Sequence, residues 1–332
     1  MLSVFLLTSM AFLGATSITG IVSNCIIISV IFFEKEKGLS PSDLILVTLG
    51  ISNIIFQLVM IANDLLIILW SDIYFSEGIF STLKSMLYFP IFSSFWFTVC
   101  LCVYYCLQIV IFSHPFLVRL KLGISKIVPW FLVTSVITSA AISAPAVCSS
   151  YKEHLSGNAS RNISLEWNIP KLSITYLLSS NIIGCSLPLV LVAISNGLIL
   201  RSLVSPCNKV DKASKVQSPR AKARNRAART VGSLLLLYMS FYISEIMMFL
   251  DLFPPSSPGF CICLLIIYTY SPAQSIILIH GSIKLKKSIM NLVRLNLLRL
   301  SEKLSNEQTE APTIFSIKLR IQKNESDICQ YV

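Results

Sequence analysis

Seven hydrophobic runs, each long enough to cross a lipid bilayer, constrain this chain more than any other feature of its sequence. A membrane-spanning helix needs about 20 mainly apolar residues. The runs are Leu2–Phe33, Leu44–Asn63, Ser85–Ser113, Ile127–Val147, Leu172–Leu200, Thr230–Leu250 and Leu252–Ile279. Because a helix satisfies its own backbone hydrogen bonds, such runs cross lipid as helices. We therefore predict an all-α protein, a bundle of seven transmembrane helices.

The composition agrees with a lipid environment. Of the 332 residues, 54% are hydrophobic and only 13% are charged, whereas a soluble domain carries about 25% charged residues. This excludes a soluble enzyme, a disordered chain and a nucleic-acid module. The ten Cys residues are scattered, and the three His residues lack ligand spacing. We therefore expect no enzymatic activity, no metal and no cofactor.

The basic residues predict the orientation of the bundle. Of the 27 Lys and Arg residues, all but Lys84, Lys152, Arg161 and Lys171 fall on one side of the predicted membrane. By the positive-inside rule, the amino terminus is extracellular and the carboxyl terminus is cytoplasmic. The net charge of +11 then reflects topology and contact with anionic membrane lipid, with no role in binding nucleic acid.

Two further patterns complete the predicted organisation. Two N-x-S sequons, at Asn158 and Asn162, lie between the fourth and fifth runs, on the predicted exterior, and are expected to be glycosylated. After the seventh run, basic and apolar residues interleave, which predicts a short amphipathic helix in the membrane interface. We assign residues 1–300 to the transmembrane domain and 301–332 to a flexible cytoplasmic tail.

Acidic residues inside the runs are candidate functional groups, because an ionisable side chain in a membrane is costly unless it faces a cavity or a partner. Asp64 lies near the outer end of the second run, and Glu245 lies in the outer half of the sixth. Each could bond a neighbouring helix instead. For Asp64, and for Asp251 near the outer end of the sixth run, a position in the outer interface is a further alternative. Glu245 lies deeper, which favours a water-filled outer cavity.

Several strings resemble the bitter taste receptors, the taste receptor type 2 family of G protein-coupled receptors. They are Asp43–Ser52 in the second run, Phe95–Phe97, Cys100–Tyr105, Phe112–Phe116 and Leu120–Lys121 in and after the third, Ser186–Leu189 and Ser202–Leu203 in and after the fifth, Ala228–Val231 and Leu234–Tyr238 at the sixth, and Gln274–Ile279 with Lys284–Lys286 at the seventh. The resemblance covers about residues 10 to 290. It implies a plasma-membrane receptor that binds small bitter compounds and activates a heterotrimeric G protein of the gustducin type.

The resemblance also implies two sets of site residues. Alignment with pocket positions of the family gives the predicted ligand residues Asp64, Leu87, Tyr88, Ile91, Asn181, Phe241, Glu245 and Tyr268. At the inner ends of the helices it gives the predicted G protein-coupling residues Lys121, Arg229 and Lys284. The acidic groups could select an amine or another hydrogen-bond donor, while aromatic and aliphatic walls supply affinity.

The chain departs from the family pattern at a few positions. Asn53 stands where the family commonly has Arg, and Gln274 stands where it usually has His. No Cys opens the third helix, since Phe80 and Ser81 stand just before the third run. The resemblance therefore implies that the disulfide of rhodopsin-like receptors is absent, as is typical of bitter receptors.

Two alternatives stay open. The first is a vomeronasal type 1 receptor, against which Lys284–Lys286 and the Phe-Ser-His-Pro string after the third run argue. The second is a seven-helix channel or transporter, for which neither a polar pore stripe nor a duplicated half is visible.

Overall fold

The computed structural model describes residues 4–33, 38–110, 115–151, 170–204, 219–250, 252–254, 257–291, 294, 299 and 301. In chain order its helices are α1 (Val4–Phe33), α2 (Pro41–Leu69), α3 (Ser71–Tyr74), α4 (Glu77–Ile109), α5 (Pro115–Ser143), α6 (Ile174–Asn181), α7 (Leu187–Val204), α8 (Pro219–Phe249) and α9 (Pro258–Gly281). A 3-10 helix follows α5 at Ala144–Cys148, and a π-helical segment, Ile182–Ser186, joins α6 to α7. Strands β1 (Ser150–Tyr151) and β2 (Lys171–Leu172) pair antiparallel.

The predicted bundle of seven membrane-spanning helices is confirmed. Seven helical stretches are long and apolar enough to cross a membrane: Ala11–Phe33, Pro41–Leu69, Gly78–Ile109, Val118–Cys148, Ile174–Ser202, Lys222–Phe249 and Pro258–Gly281. The fifth comprises α6, the π-helical segment and α7. The chain is therefore a multi-pass membrane protein with a bundle of seven helices.

Helix ends differ from the ends of the hydrophobic runs, because capping and backbone hydrogen bonds decide where a helix begins. The second helix begins at Pro41, three residues before the predicted run, because Ser40 accepts a hydrogen bond from the Asp43 amide at 3.2 Å and the Asp43 carboxylate accepts one from the Ser40 amide at 3.4 Å. The seventh begins at Pro258, later than the predicted Leu252. There the Ser257 hydroxyl accepts a hydrogen bond from the Phe260 amide.

The helix α4 lies at the centre of the bundle. It packs against α2, α5, α7 and α8, while α1 packs against α2 and α9, and α8 packs against α7 and α9. The main core lines α4, where Phe92, Phe95, Val99 and Cys102 are all buried. The Phe95 ring packs against Tyr238 of α8, with ring centroids 3.9 Å apart. Residues of α4 therefore contact most of the helices that would form a ligand site.

A second, smaller core closes the end of the bundle that carries the β1–β2 pair, which we call the outer end. It is formed by Tyr74, Phe80, Ala146, Leu172 and Tyr176. Phe80 is buried, and the neighbouring Ser81 hydroxyl donates a hydrogen bond to the Ser150 hydroxyl at 2.5 Å. These contacts join α4 to the loop after α5. All the cysteines that the structure describes are free thiols, and Cys148 is exposed.

The chain divides into two compact units, residues 1–282 and 283–332. The seven spans belong to the first unit. In the second, residues 283–291 are helical, which agrees with the predicted short helix after the seventh span. Its placement in the membrane interface and the predicted division at residue 300 stay predictions. Most of the predicted tail, residues 302–332, lies outside the described residues.

Candidate functional site

Asp64 and Tyr268 form the first pair of predicted ligand residues that the fold brings together. The Tyr268 hydroxyl of α9 donates a hydrogen bond to the Asp64 carboxylate of α2. Tyr268 is buried, and its backbone carbonyl accepts a further hydrogen bond from Gln57 Nε2 at 3.2 Å. Asp64 thus joins two helices, which is the structural alternative that the sequence left open for this carboxylate.

Glu245 lies apart from this pair in the hydrogen-bond network. It is half-buried on α8, and the Cys185 thiol donates to its carboxylate over a distance of 3.7 Å. Cys185 is fully buried within the π-helical segment. A thiol is a weak hydrogen-bond donor. The carboxylate therefore keeps most of its capacity to accept hydrogen bonds from a stronger donor.

The apolar members of the predicted site pack, together with neighbouring rings, in an aromatic layer of the main core. Tyr88 stacks on Phe92, with ring centroids 5.6 Å apart and nearly parallel planes, and Leu87 packs against the main core. Ile91 and Phe241 line one small cavity of about 10 Å³, which is room for about one water molecule. A drug-sized ligand occupies a pocket of about 300–1,000 Å³, so the side chains around this cavity must move before such a ligand enters.

Asn181 is positioned by the change of helix type in the fifth span. It is the last residue of α6, and the Ser186 hydroxyl lies 3.4 Å from its backbone carbonyl, across the π-helical segment. Ser186 also shares a hydrogen bond of 2.7 Å with the Tyr242 hydroxyl of α8. The Tyr238 hydroxyl donates to the Cys185 carbonyl at 2.6 Å. Two tyrosines of α8 therefore hold the irregular segment next to Asn181.

Three residues that were not among the predicted ligand residues also lie around Asp64: Lys84, Asn63 and Tyr74. Lys84 interacts electrostatically with Asp64 and lies 5.4 Å from the centre of the Phe80 ring. The Tyr74 hydroxyl donates to Asn63 Oδ1 at 3.0 Å, and burial raises the pKa of Tyr74 to about 12, so this donor stays protonated at neutral pH. Two sequence features could have indicated these residues. Asn63 is a polar residue next to Asp64, and Lys84 is a charged residue within the third span.

A buried polar network lies beneath the aromatic layer. It contains Asn53 and Gln274, two positions at which the chain departs from the family pattern. Asn53 Nδ2 of α2 donates to Gln274 Oε1 of α9 at 2.7 Å, and both side chains are buried. Gln274 Nε2 donates to the Thr98 hydroxyl at 3.0 Å, and the Ser94 hydroxyl donates to Asn53 Oδ1 at 3.1 Å. The two amides are therefore partners of each other and of α4.

Two of the predicted coupling residues, Lys121 and Arg229, lie at the other end of the bundle, which we call the inner end. Lys121 Nζ of α5 lies 3.3 Å from the Gln108 carbonyl and 3.5 Å from the Val110 carbonyl, so it binds the carbonyl end of α4. Arg229 is exposed on α8. Lys284 belongs to the second unit, where it is exposed. The sequons at Asn158 and Asn162 lie outside the described residues.

Comparison with known proteins gives a consistent family. A family model described as taste receptor protein (TAS2R) matches residues 1–296. Taste receptor type 2 member 40 of Gallus gallus is 30% identical over 287 residues, covering 83% of this chain and 91% of the relative. Taste receptor type 2 member 9 of Homo sapiens is 28% identical, with 81% and 87% covered. Taste receptor type 2 member 7 of Pan troglodytes is 27% identical, with 86% and 92% covered.

Proposed function

This chain belongs to the taste receptor type 2 family and is a bitter taste receptor, and from its geometry we propose that small bitter compounds bind between the outer halves of α2, α4, α6, α8 and α9. The convergence of Asp64 with Tyr268, and of Ile91 with Phe241, supports this site. The family assignment decides against the vomeronasal receptor and the channel. The proposed role is reception and signalling, with no catalytic step.

The closed cavity supports a mechanism in which agonist binding shifts the bundle between two states. An agonist displaces side chains such as Ile91 and Phe241 and occupies the space that they release. It therefore binds an opened state better than the closed one, which is the condition for a ligand to shift a conformational equilibrium. Aromatic and aliphatic walls with one or two polar contacts fit micromolar affinity, about −8 kcal/mol.

Signalling, in this proposal, passes to a gustducin-type G protein at the inner ends of the helices. Lys121 binds the carbonyl end of α4 in the closed bundle, and Arg229 and Lys284 are exposed cations. Movement of helices at such an end is a common route by which a bundle changes its inner face. Alanine at Lys121, Arg229 or Lys284 should change coupling or basal activity with surface level unchanged. Unaltered concentration–response curves would remove that residue from the mechanism.

The proposed orientation places the amino terminus outside the plasma membrane and the carboxyl terminus inside. The distribution of Lys and Arg residues supports it. An amino-terminal epitope should be accessible on intact cells, and a carboxyl-terminal one only after permeabilisation. A glycosidase-sensitive mobility shift should disappear when Asn158 and Asn162 are both changed to Gln; a shift that persists would contradict glycosylation of this loop.

A screen of bitter compounds in cells that co-express the receptor and a gustducin-type G protein tests the proposal as a whole. We expect calcium responses to a subset of compounds, absent from cells without the receptor and abolished by blocking the G protein. Responses that persist under the block would indicate a conducting channel and contradict the proposed mechanism.

A further inference from the structure

A crevice of about 670 Å³ lies between α8 and α9 at the inner end of the bundle. Its volume falls within the range of about 300–1,000 Å³ typical of ligand pockets. Its lining residues are Lys222, Asn225, Arg226, Arg229, Thr230, Ser233, Ile276, Ile277, His280 and Gly281. The crevice is thus distinct from the outer site and is larger by far than the cavity at Ile91.

The crevice opens away from the centre of the bundle. Lys222, Arg226, Arg229 and Ser233 follow one another at spacings of four, three and four residues, so they share one face of α8. Val231 and Leu234, on the opposite face, are buried in the bundle. On the α9 side, Ile276 is 49% exposed. The lining therefore faces away from the centre of the bundle.

The basic side chains of the crevice lie at the level along the helices that a lipid headgroup would occupy. Arg226 and Arg229 flank Thr230, which packs so closely against Gly281 that a Cβ added there would overlap the Thr230 side chain. Gly281 ends both α9 and the seventh candidate span. The basic side chains therefore lie where the apolar part of the span ends. One turn deeper, Ile276 and Ile277 present apolar surface beneath them.

The charge of the crevice has one sign. Lys222, Arg226 and Arg229 supply three cations, and the lining contains no Asp or Glu. In the part of the chain that the structure describes, no ion pair joins any of the three to a carboxylate. Arg binds phosphate oxygens through paired N–H donors, and Lys binds them as a point charge. Three closely spaced cations match several phosphate groups on one ligand better than a single phosphodiester.

We propose that this crevice binds the phosphorylated headgroup of an inositol lipid from the cytoplasmic leaflet. The phosphate groups lie against Lys222, Arg226 and Arg229, and the glycerol and upper acyl chains lie along Ile276 and Ile277. This site rests on the proposed orientation, because it requires the inner end to face the cytoplasm. It goes beyond general attraction of basic loops to anionic lipid, since it assigns the lipid to one seam between two helices.

A binding measurement tests the proposal. The ligand is a short-chain phosphatidylinositol bisphosphate, and the purified full-length receptor is held in neutral phosphatidylcholine nanodiscs. The test variant combines Lys222→Gln with Arg226→Gln. The control variant combines Arg119→Gln with Lys126→Gln, which removes the same charge from exposed positions of α5 outside the crevice. We expect the test variant to bind about thirtyfold more weakly, from the usual contribution of two basic residues at an anionic surface, and the control to change less than about threefold.

Two further arms separate the possible ligands. A soluble inositol phosphate that binds as tightly as the lipid would overturn the lipid assignment, as would equal binding of phosphatidylserine. Equal weakening in the control variant would overturn the site. Photo-crosslinking of a reactive phosphoinositide to the unmodified receptor should label the peptide around residues 276–281, and a label elsewhere would also overturn it. Because these measurements need neither agonist nor G protein, and because epitope accessibility reports the orientation separately, their failure is distinct from failure of the proposed function.

Discussion

At the scale of single residues, Glu245 offers the sharpest test of ligand selectivity. Its carboxylate has the weak thiol of Cys185 as hydrogen-bond donor, so a cationic agonist would supply a stronger one. Glu245→Gln keeps the shape and removes the charge. A charged hydrogen bond contributes about 1.5–3 kcal/mol, so cationic agonists should lose about tenfold or more in potency, while neutral agonists change little. Concentration–response curves at matched surface expression measure both effects.

Asp72→Asn is the matched control for Glu245→Gln. Asp72 is an exposed acid on the short helix α3 at the outer end, so its removal changes the electrostatic potential without changing the bundle. We expect both agonist classes to keep their potency in this variant. Equal losses for cationic and neutral agonists in Glu245→Gln, or loss of the receptor from the surface, would show that Glu245 only supports the structure.

The hydrogen bond between Tyr268 and Asp64 leads to a prediction about stability. Tyr268→Phe leaves the ring in place and removes the donor to a half-buried carboxylate. We expect a loss of about 1–3 kcal/mol in the free energy of unfolding, measured as a lower thermal unfolding midpoint of the purified receptor. In a double-mutant cycle with Asp64→Asn, the two losses should be less than additive. Strict additivity would mean that the two groups act independently.

At the scale of elements, the π-helical segment Ile182–Ser186 depends on a close approach between two helices. Gly184 is buried there, and a Cβ at this position would overlap the ring of Phe92 on α4. Gly184→Ala should therefore force Phe92 and the stacked Tyr88 to move, at a cost of about 1–3 kcal/mol in stability. The thermal unfolding midpoint and the surface level should both fall.

Gly197→Ala provides the control within the same span. Gly197 lies in α7, and an added Cβ meets no atom within 4 Å. Replacing glycine by alanine inside a helix usually stabilises it by about 0.5–1 kcal/mol, so this variant should be as stable as the unmodified receptor or more so. If the two variants behave alike, the contact between Gly184 and Phe92 does not constrain the packing.

At the scale of the whole molecule, the buried amide network joins helices that lie far apart in sequence. Asn53 of α2 and Gln274 of α9 are partners, and Thr98 of α4 accepts from Gln274. Gln274→Met leaves the Asn53 amide without its shortest hydrogen bond, so we expect a loss of about 1–3 kcal/mol. The variant Asn53→Leu removes the other amide of the pair, so the double variant should lose less than the sum of the two single losses. Thermal unfolding measures the effect, and a double variant no more stable than the sum of the single losses would contradict it.

Much of the fold could be predicted from the sequence, because crossing a bilayer depends on local properties. Helix length, apolar content and internal backbone hydrogen bonding belong to one segment at a time. The seven predicted runs therefore correspond to the seven spans. Their ends were less predictable, since Ser40 and Ser257 cap helices through one or two local hydrogen bonds. The function was predicted from the sequence motifs that resemble the family, because composition alone does not indicate it.

The sequence by itself determined the seven helices and, through its motifs, the family. Only the tertiary structure decided which side chains meet: Asp64 with a tyrosine 204 residues away, and Asn53 with an amide 221 residues away. It also placed Lys222 and Arg226 in one crevice with Ile276. The reason is that helices surrounded by lipid are apolar on nearly all sides, so periodicity does not show which face turns inward. Helix rotation and relative height are set by packing between helices, where small residues such as Gly184 admit a neighbour and buried polar groups must find partners.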